Sequence, residues 1–282
     1  MANPQLSRTL AEYPVIARNL TFKAGRRKII DNISLVLRRN EYVGLIGGSG
    51  SGKTTLMTCL NGYREPDEGS VYLNGIDVEK KEQVRPLIGY VPQDDIVHAA
   101  LTVESALSYA LRLRSPRDLS EDKITYTVGK VMYQLDLREH RDKRIRSLSG
   151  GQRKRVSIGV ELLHSPPLFF LDEPTAGLDP ALERQMMRLL AKLADENRLI
   201  MVTTHLMQHV TLFDVLVFIH KGRMIYCGPS RDIMAYFRVG DMVDLFEKVL
   251  PIDPGRLSRA YQNSSVYRNF LAPRLKACAH VQ

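Results

Sequence analysis

The sequence contains no tryptophan, only three cysteines in 282 residues, and no apolar run approaching the length of a membrane span. Each absence excludes something. A helix that crosses a bilayer needs roughly 20 consecutive apolar residues, whereas runs such as 215–219 or 168–171 stop far short of that. No segment therefore reads as membrane-spanning. Cys59, Cys227 and Cys278 are odd in number, widely scattered, and form neither a CxxC pair nor a metal-ligand spacing, so they read as reduced thiols. Residues 1–10 carry only Arg8 as a charge and have no long apolar core, which argues against a secretory leader and for a cytosolic domain. Aromatic residues are sparse, and none interleaves with the basic clusters at 138–146 and 153–155, so the stacking platform of a single-strand nucleic-acid binder is missing. The formal charge of +9 then reads as a solvated basic surface, against the competing reading of attraction to nucleic acid or an anionic membrane face. No nucleic-acid partner is expected.

What is present suffices for one globular domain with room for a small appendage. Residues 41–46 form an apolar run that ends in glycine-rich sequence, and residues 53–60 then show helical spacing up to Gly62, which is strand, loop, helix. Residues 70–73 before Asn74-Gly75 read as a strand with a turn. From 101 to about 140 the pattern is helical, broken near Ser115-Pro116, as in an inserted helical subdomain. A strand at 168–171, a helix at about 182–194 and a strand at 199–203 follow, an alternation that implies a parallel sheet covered by helices. Residues 215–219 and 224–227, joined through Lys221-Gly222, read as a closing hairpin. Beyond Phe237 lies a tail containing Pro251, Pro254 and Gly255, with helical stretches on either side of them.

Gly47-Gly48-Ser49-Gly50-Ser51-Gly52-Lys53-Thr54 matches the phosphate-binding pattern G-x-x-x-x-G-K-[ST] and stands between strand and helix, where that pattern works. Glycines let backbone N–H groups approach phosphate oxygens, and the helix N-terminus adds partial positive charge. Lys53 is expected on the β- and γ-phosphates, and Thr54, followed by Thr55, offers a hydroxyl to Mg²⁺. A flexible Gly/Ser linker would explain the glycines but not a lysine and two threonines opening an apolar helix. Leu168-Phe169-Phe170-Leu171 runs into Asp172-Glu173, two carboxylates that are costly at the end of a buried strand without a task. Asp172 is expected to anchor Mg²⁺ and Glu173 to deprotonate the attacking water. An N-cap for the next helix is the plainer explanation of a lone Asp-Glu, and the phosphate loop tips the balance.

Leu148-Ser149-Gly150-Gly151-Gln152 narrows the field, because it matches in full the LSGGQ signature of the ATP-binding-cassette family, which this chain resembles over about 14–237. The resemblance extends to Gln93 in Val91-Pro92-Gln93, similar to the family's Q-loop; to His205 after Thr203-Thr204, similar to its switch histidine; and to Asp179 in Ala176-Gly177-Leu178-Asp179, at the D-loop position. It implies an α/β fold: a P-loop NTPase of RecA-like type, with a parallel-sheet core, an antiparallel β subdomain and an inserted α-helical subdomain at about 96–165. It also implies roles. Gln93 would reach Mg²⁺ and the lytic water, and His205 the γ-phosphate. Ser149, Gly150, Gly151 and Gln152 would face the ATP held by a second ATPase domain, with Asp179 shaping that interface. The position of an adenine-stacking aromatic falls at Ala24, with Phe22 two residues earlier, and Asn40 replaces a common glycine.

Within the family the chain looks like the G-type exporters, in which the ATPase precedes a transmembrane domain, and residues 238–282 resemble the stretch leading towards it. ATP and Mg²⁺ are then the cofactors, a second ATPase domain and a transmembrane domain the partners, and the cytoplasmic face of a membrane the location. A soluble cassette ATPase acting on nucleic acid or ribosomes is the alternative, but it would ordinarily bring a second cassette or a coiled-coil insertion. A module that only senses nucleotide is a second, at odds with the intact set Lys53, Asp172, Glu173 and His205.

Overall fold

In the computed structural model the residues described are 9–115, 119–205 and 210–281. After a helical turn at 9–12 come two long antiparallel strands, β1 (Val15–Ala24) and β2 (Arg27–Leu37). Asn40, in left-handed backbone at φ 63°, then turns the chain into β3 (Tyr42–Ile46). Next come helix α1 (Lys53–Leu60), strands β4 (Glu68–Leu73) and β5 (Ile76–Asp77), and β6 (Ile88–Val91). Three helices follow: α2 (Val103–Arg114), α3 (Glu121–Gln134) and α4 (Gly150–Leu162). Alternation resumes with β7 (Leu168–Asp172), α5 (Pro180–Ala194), β8 (Leu199–Thr204) and the hairpin β9 (Val215–His220) and β10 (Arg223–Pro229).

Six strands form the central sheet in the order β10-β9-β3-β8-β7-β6, parallel except for the hairpin. Every residue of β3, β7, β8 and β9 is buried. That matches their near-continuous apolar sequences, because a parallel sheet is covered on both faces. A second, antiparallel sheet runs β2-β1-β4-β5. Both sheets were anticipated in kind, but the individual strands β1, β2, β5 and β6 were not.

The helix starts follow from local chemistry. Thr102, Ser120 and Ser149 cap α2, α3 and α4 by accepting from a backbone N–H three residues on. Asp179 accepts from both Ala181 and Leu182 at 3.0 Å, and with Pro180 in the first turn it starts α5 two residues before the apolar periodicity does. The helical reading of 101–140 resolves into α2, α3 and a 3-10 turn at Arg138–His140, with α2 ending at Arg114 and Ser115 as its C-cap; Pro116 lies outside the described residues.

The C-terminal part packs back onto this body as α6 (Ile233–Phe237), α7 (Met242–Val249), α8 (Pro254–Gln262), a π-helical turn (Tyr267–Leu271) and α9 (Ala272–Ala277). Tyr261 is fully buried and donates to the Cys227 carbonyl at 2.7 Å. Arg274 forms a buried two-pronged pair with Glu41 at 2.7 and 3.1 Å, beneath the ring of Phe270. Cys278 and Val281 join Ile16 and Val36 in a small second core. All three cysteines are free and buried. Burial pushes Cys59 and Cys278 up to about 11 and Cys227 to about 12, which keeps them protonated and unreactive. Among the described residues no helix is long and apolar enough to cross a membrane.

Candidate active site

The loop between β3 and α1 is shaped by glycine where nothing else fits. A Cβ on Gly47, at φ 154°, would lie 2.3 Å from the Ile219 carbonyl; one on Gly52, at φ 105°, would lie 2.8 Å from that of Ile29. Space remains on the outer side, where Gly48 and Gly50 have no neighbour within 4 Å of a Cβ. The β9–β10 turn braces the loop, since Gly222 donates to the Ser51 carbonyl at 2.9 Å. No side chain caps α1, so its first N–H groups stay available to an anion. Lys53 is buried, and its ammonium donates to the Gly47 and Gly48 carbonyls at 2.9 and 3.1 Å. Burial lowers its pKa, while the charges of Glu173 and Asp172 oppose the shift. Ser49 is exposed, and the buried Ser51 hydroxyl oxygen has no hydrogen-bond partner among the described residues.

Parallel register brings the carboxylates to this loop. Asp172 pairs with Thr203 across β7 and β8, and β3 lies on the other side of β8. Buried Asp172 accepts from the Thr54 hydroxyl at 3.2 Å and from the Thr203 hydroxyl at short range. Thr203 also accepts from the Glu173 N–H at 2.9 Å. Glu173 sits in left-handed backbone at φ 45°, a conformation disfavoured for a residue with a side chain and met at functional sites. His205 Nδ1 lies 3.4 Å from Glu173 Oε1. Lys53, Thr54, Asp172, Glu173 and His205 therefore form one connected group, with Thr55 half-buried on the first turn of α1.

The signature segment stands elsewhere on the chain. Ser149 and Gly150 are exposed and Gly151 is buried, and Leu178 packs beside both glycines. Ser149 and Gln152 complete a capping box, and the Gln152 amide meets His140 Nε2 at 2.9 Å. Gln93 follows the end of β6 and is exposed, with its carbonyl held at 2.7 Å by Lys154. The side chain of Asp179 serves as the cap of α5.

Sequence reasoning assigned no role to Thr203, Lys154 or His140. Lys154 sits inside a basic run read as solvated, yet it is 6% exposed. Thr203 sits inside an apolar strand. Only the place of His140, before the signature, offered a signal.

These donors suit a triphosphate with a hard cation. An open glycine cradle, a buried lysine that donates to loop carbonyls, and a serine hydroxyl unpartnered among the described residues fit phosphate, while the linked Thr54 and Asp172 offer the oxygens that Mg²⁺ prefers.

A family model described as ABC transporter matches residues 30–176, just over half of the chain. The chain belongs to the ABC transporter family. Over 239 residues it is 42% identical to an ABC transporter ATP-binding/permease protein of Mycobacterium tuberculosis, covering 84% of this chain and 28% of that protein. It is 32% identical over 244 residues to ABC transporter G family member 16 of Arabidopsis thaliana, covering 83% and 33%. The chain thus spans about a third or less of the length of these relatives. Among solved structures, cbiO1 of Clostridium perfringens, part of the ABC transporter complex cbiONQ, matches with a TM-score of 0.75 at 26% identity, covering 88% of this chain and 99% of that one. An ATP-binding cassette solved as a dimer in a post-hydrolysis state with ADP and Pi matches with a TM-score of 0.68 at 25% identity, covering 77% and 99%. The ABC domain described here is accordingly a P-loop NTPase of the ATP-binding, ATP-hydrolysing kind, as its signature implied.

Proposed function

We propose that this ABC domain works as one half of a head-to-tail pair, in which two ATP molecules are hydrolysed between the phosphate loop of one copy and Ser149, Gly150 and Gly151 of the other. The connection from Thr54 through Asp172 to Glu173 and His205 carries this reading, because it sets a proton acceptor beside the phosphate loop. Lys53 holds the β- and γ-phosphates. Thr54, Asp172 and Gln93 would hold Mg²⁺, which would supply positive charge to offset the charge of the phosphates. Glu173 orients the attacking water and accepts its proton, and His205, close to Glu173, faces the γ-phosphate. Ser149 and the N–H groups opening α4 give the partner's γ-phosphate a second anion site, with Asp179 near the seam.

Loss of the γ-phosphate bridge loosens the pair, and the loop after β6 carries that change to a transmembrane domain. Such a domain lies in the same polypeptide or in a separate subunit, on a membrane whose cytoplasmic face this domain occupies, and the direction is export. Support comes from the G family relative and the ATP-binding/permease relative, of which the matched region covers 33% and 28%. Residues 14–237 are read as the nucleotide-binding domain and 238–282 as the stretch towards the membrane domain.

Glu173→Gln is the test. It should retain ATP binding, accumulate an ATP-bound dimer by size-exclusion chromatography, and lose steady-state turnover by about 10³-fold or more. Undiminished phosphate release would remove Glu173 as the base.

A further inference from the structure

The loop that carries Gln93 and the helix that presents Ser149 are joined around a buried ammonium. Lys154, five residues beyond Ser149, lies about 7.5 Å further along α4 at 1.5 Å per residue. It is 6% exposed. Its Nζ is 2.7 Å from the Gln93 carbonyl, 3.4 Å from that of Pro92 and 3.4 Å from Asp95 Oδ1, so three donors meet three acceptors. Asp95 is in turn met by Arg153 Nε at 3.6 Å and by the Ser157 hydroxyl at 3.3 Å, both from α4.

Burying a lysine ammonium is costly unless it is fully paired. The carbonyls did not require that cost. Gln93, Asp94 and Asp95 are exposed, so water could have satisfied their backbone, and an apolar residue at 154 would have packed α4 more cheaply. What the ammonium adds is a fixed path for the loop, tied to the helix whose N-terminus stands on the outer surface.

We infer that Lys154 is a positioning residue that couples the chain's own nucleotide site, through Gln93, to the face it offers a second copy through Ser149. The inference rests on the roles given above to Gln93 and Ser149. With ATP and its cation bound at the phosphate loop, any displacement of Gln93 would pass through the Lys154 contacts to α4. When a partner's γ-phosphate settles on Ser149, the same contacts hold Gln93 in place. Each nucleotide thus senses the other within one polypeptide.

The test uses the full chain and two independent readouts. Amide hydrogen exchange of the loop at 92–96 should quicken by about tenfold in Lys154→Met and stay within about threefold of wild type in Lys154→Arg, whose guanidinium reaches the same carbonyls. Steady-state turnover should fall by about tenfold in Lys154→Met, with binding of a fluorescent ATP analogue little changed and the Hill coefficient for ATP reduced towards 1. In a Gln93→Ala background the same lysine substitution should add no more than about twofold, because its effect passes through a side chain already removed.

Wild-type exchange in Lys154→Met, or a fully additive effect on Gln93→Ala, overturns the coupling while leaving the site's chemistry intact. Gln93→Ala with undiminished turnover overturns both the reading of Gln93 and the coupling built on it. Should Lys154→Met fail to fold, Asp95→Asn and Ser157→Ala decide. Both loosen the same cluster while leaving Lys154 itself in place, and unchanged exchange in both counts against the inference.

Discussion

Asp172 is held by two hydroxyls, and only one of them belongs to a recognisable motif. Thr54 comes from the phosphate loop; Thr203 is the next-to-last residue of the largely apolar strand β8 and serves both Asp172 and the Glu173 N–H. Thr203→Val keeps the shape but removes a donor and an acceptor in a buried place. It should cost about 1–3 kcal/mol in urea unfolding and lower turnover by about ten- to a hundredfold with ATP binding retained. Residues of this kind escape a reading of sequence. Lys53, Asp172 and Ser149 were legible because their neighbours form fixed patterns, whereas Thr203 and Lys154 act through contacts to strands and loops distant in sequence. Lys154 was also disguised by Arg153 and Arg155, which make a buried cation look like part of a solvated run.

Elements were legible where burial is uniform and hidden where a bulge breaks the pattern. The strands at 41–46, 168–171, 199–203 and 215–219 stood out because a sheet covered on both faces needs apolar residues throughout. In β1 the alternation fails at Arg18 and Asn19, with Asn19 at φ 50°, and in β2 Asn32 takes φ 54°. Register shifts there turn side chains out of the expected order. The hold of α8 and α9 on the sheets was equally silent, since it depends on pairs separated by more than thirty and more than two hundred residues. Tyr261→Phe should cost about 1 kcal/mol in denaturant unfolding, as one net hydrogen bond does. Arg274→Met should cost about 3–5 kcal/mol by stranding the Glu41 carboxylate, and adding Glu41→Met should recover much of that loss.

For the molecule as a whole, acid should act partly through His220. This side chain is buried at the end of β9, its Nε2 has no hydrogen-bond partner among the described residues, and burial followed by the Lys221 charge lowers its pKa. Between its lowered folded value and the ordinary 6.5, the unfolded chain binds the proton more readily, so stability is full above that range and falls as pH drops through it. Melting temperatures from pH 7.5 to 5 should therefore decline more steeply in wild type than in His220→Gln. The architecture itself followed from the ordered motifs, yet the packing of the C-terminal helices onto both sheets did not, because their composition is not distinctive. There remains what Lys53 in its buried cleft and Ser149 on the open surface mean together. Under the proposed pairing a solitary molecule is half a lock and half a key, and scarcity alone would keep it idle.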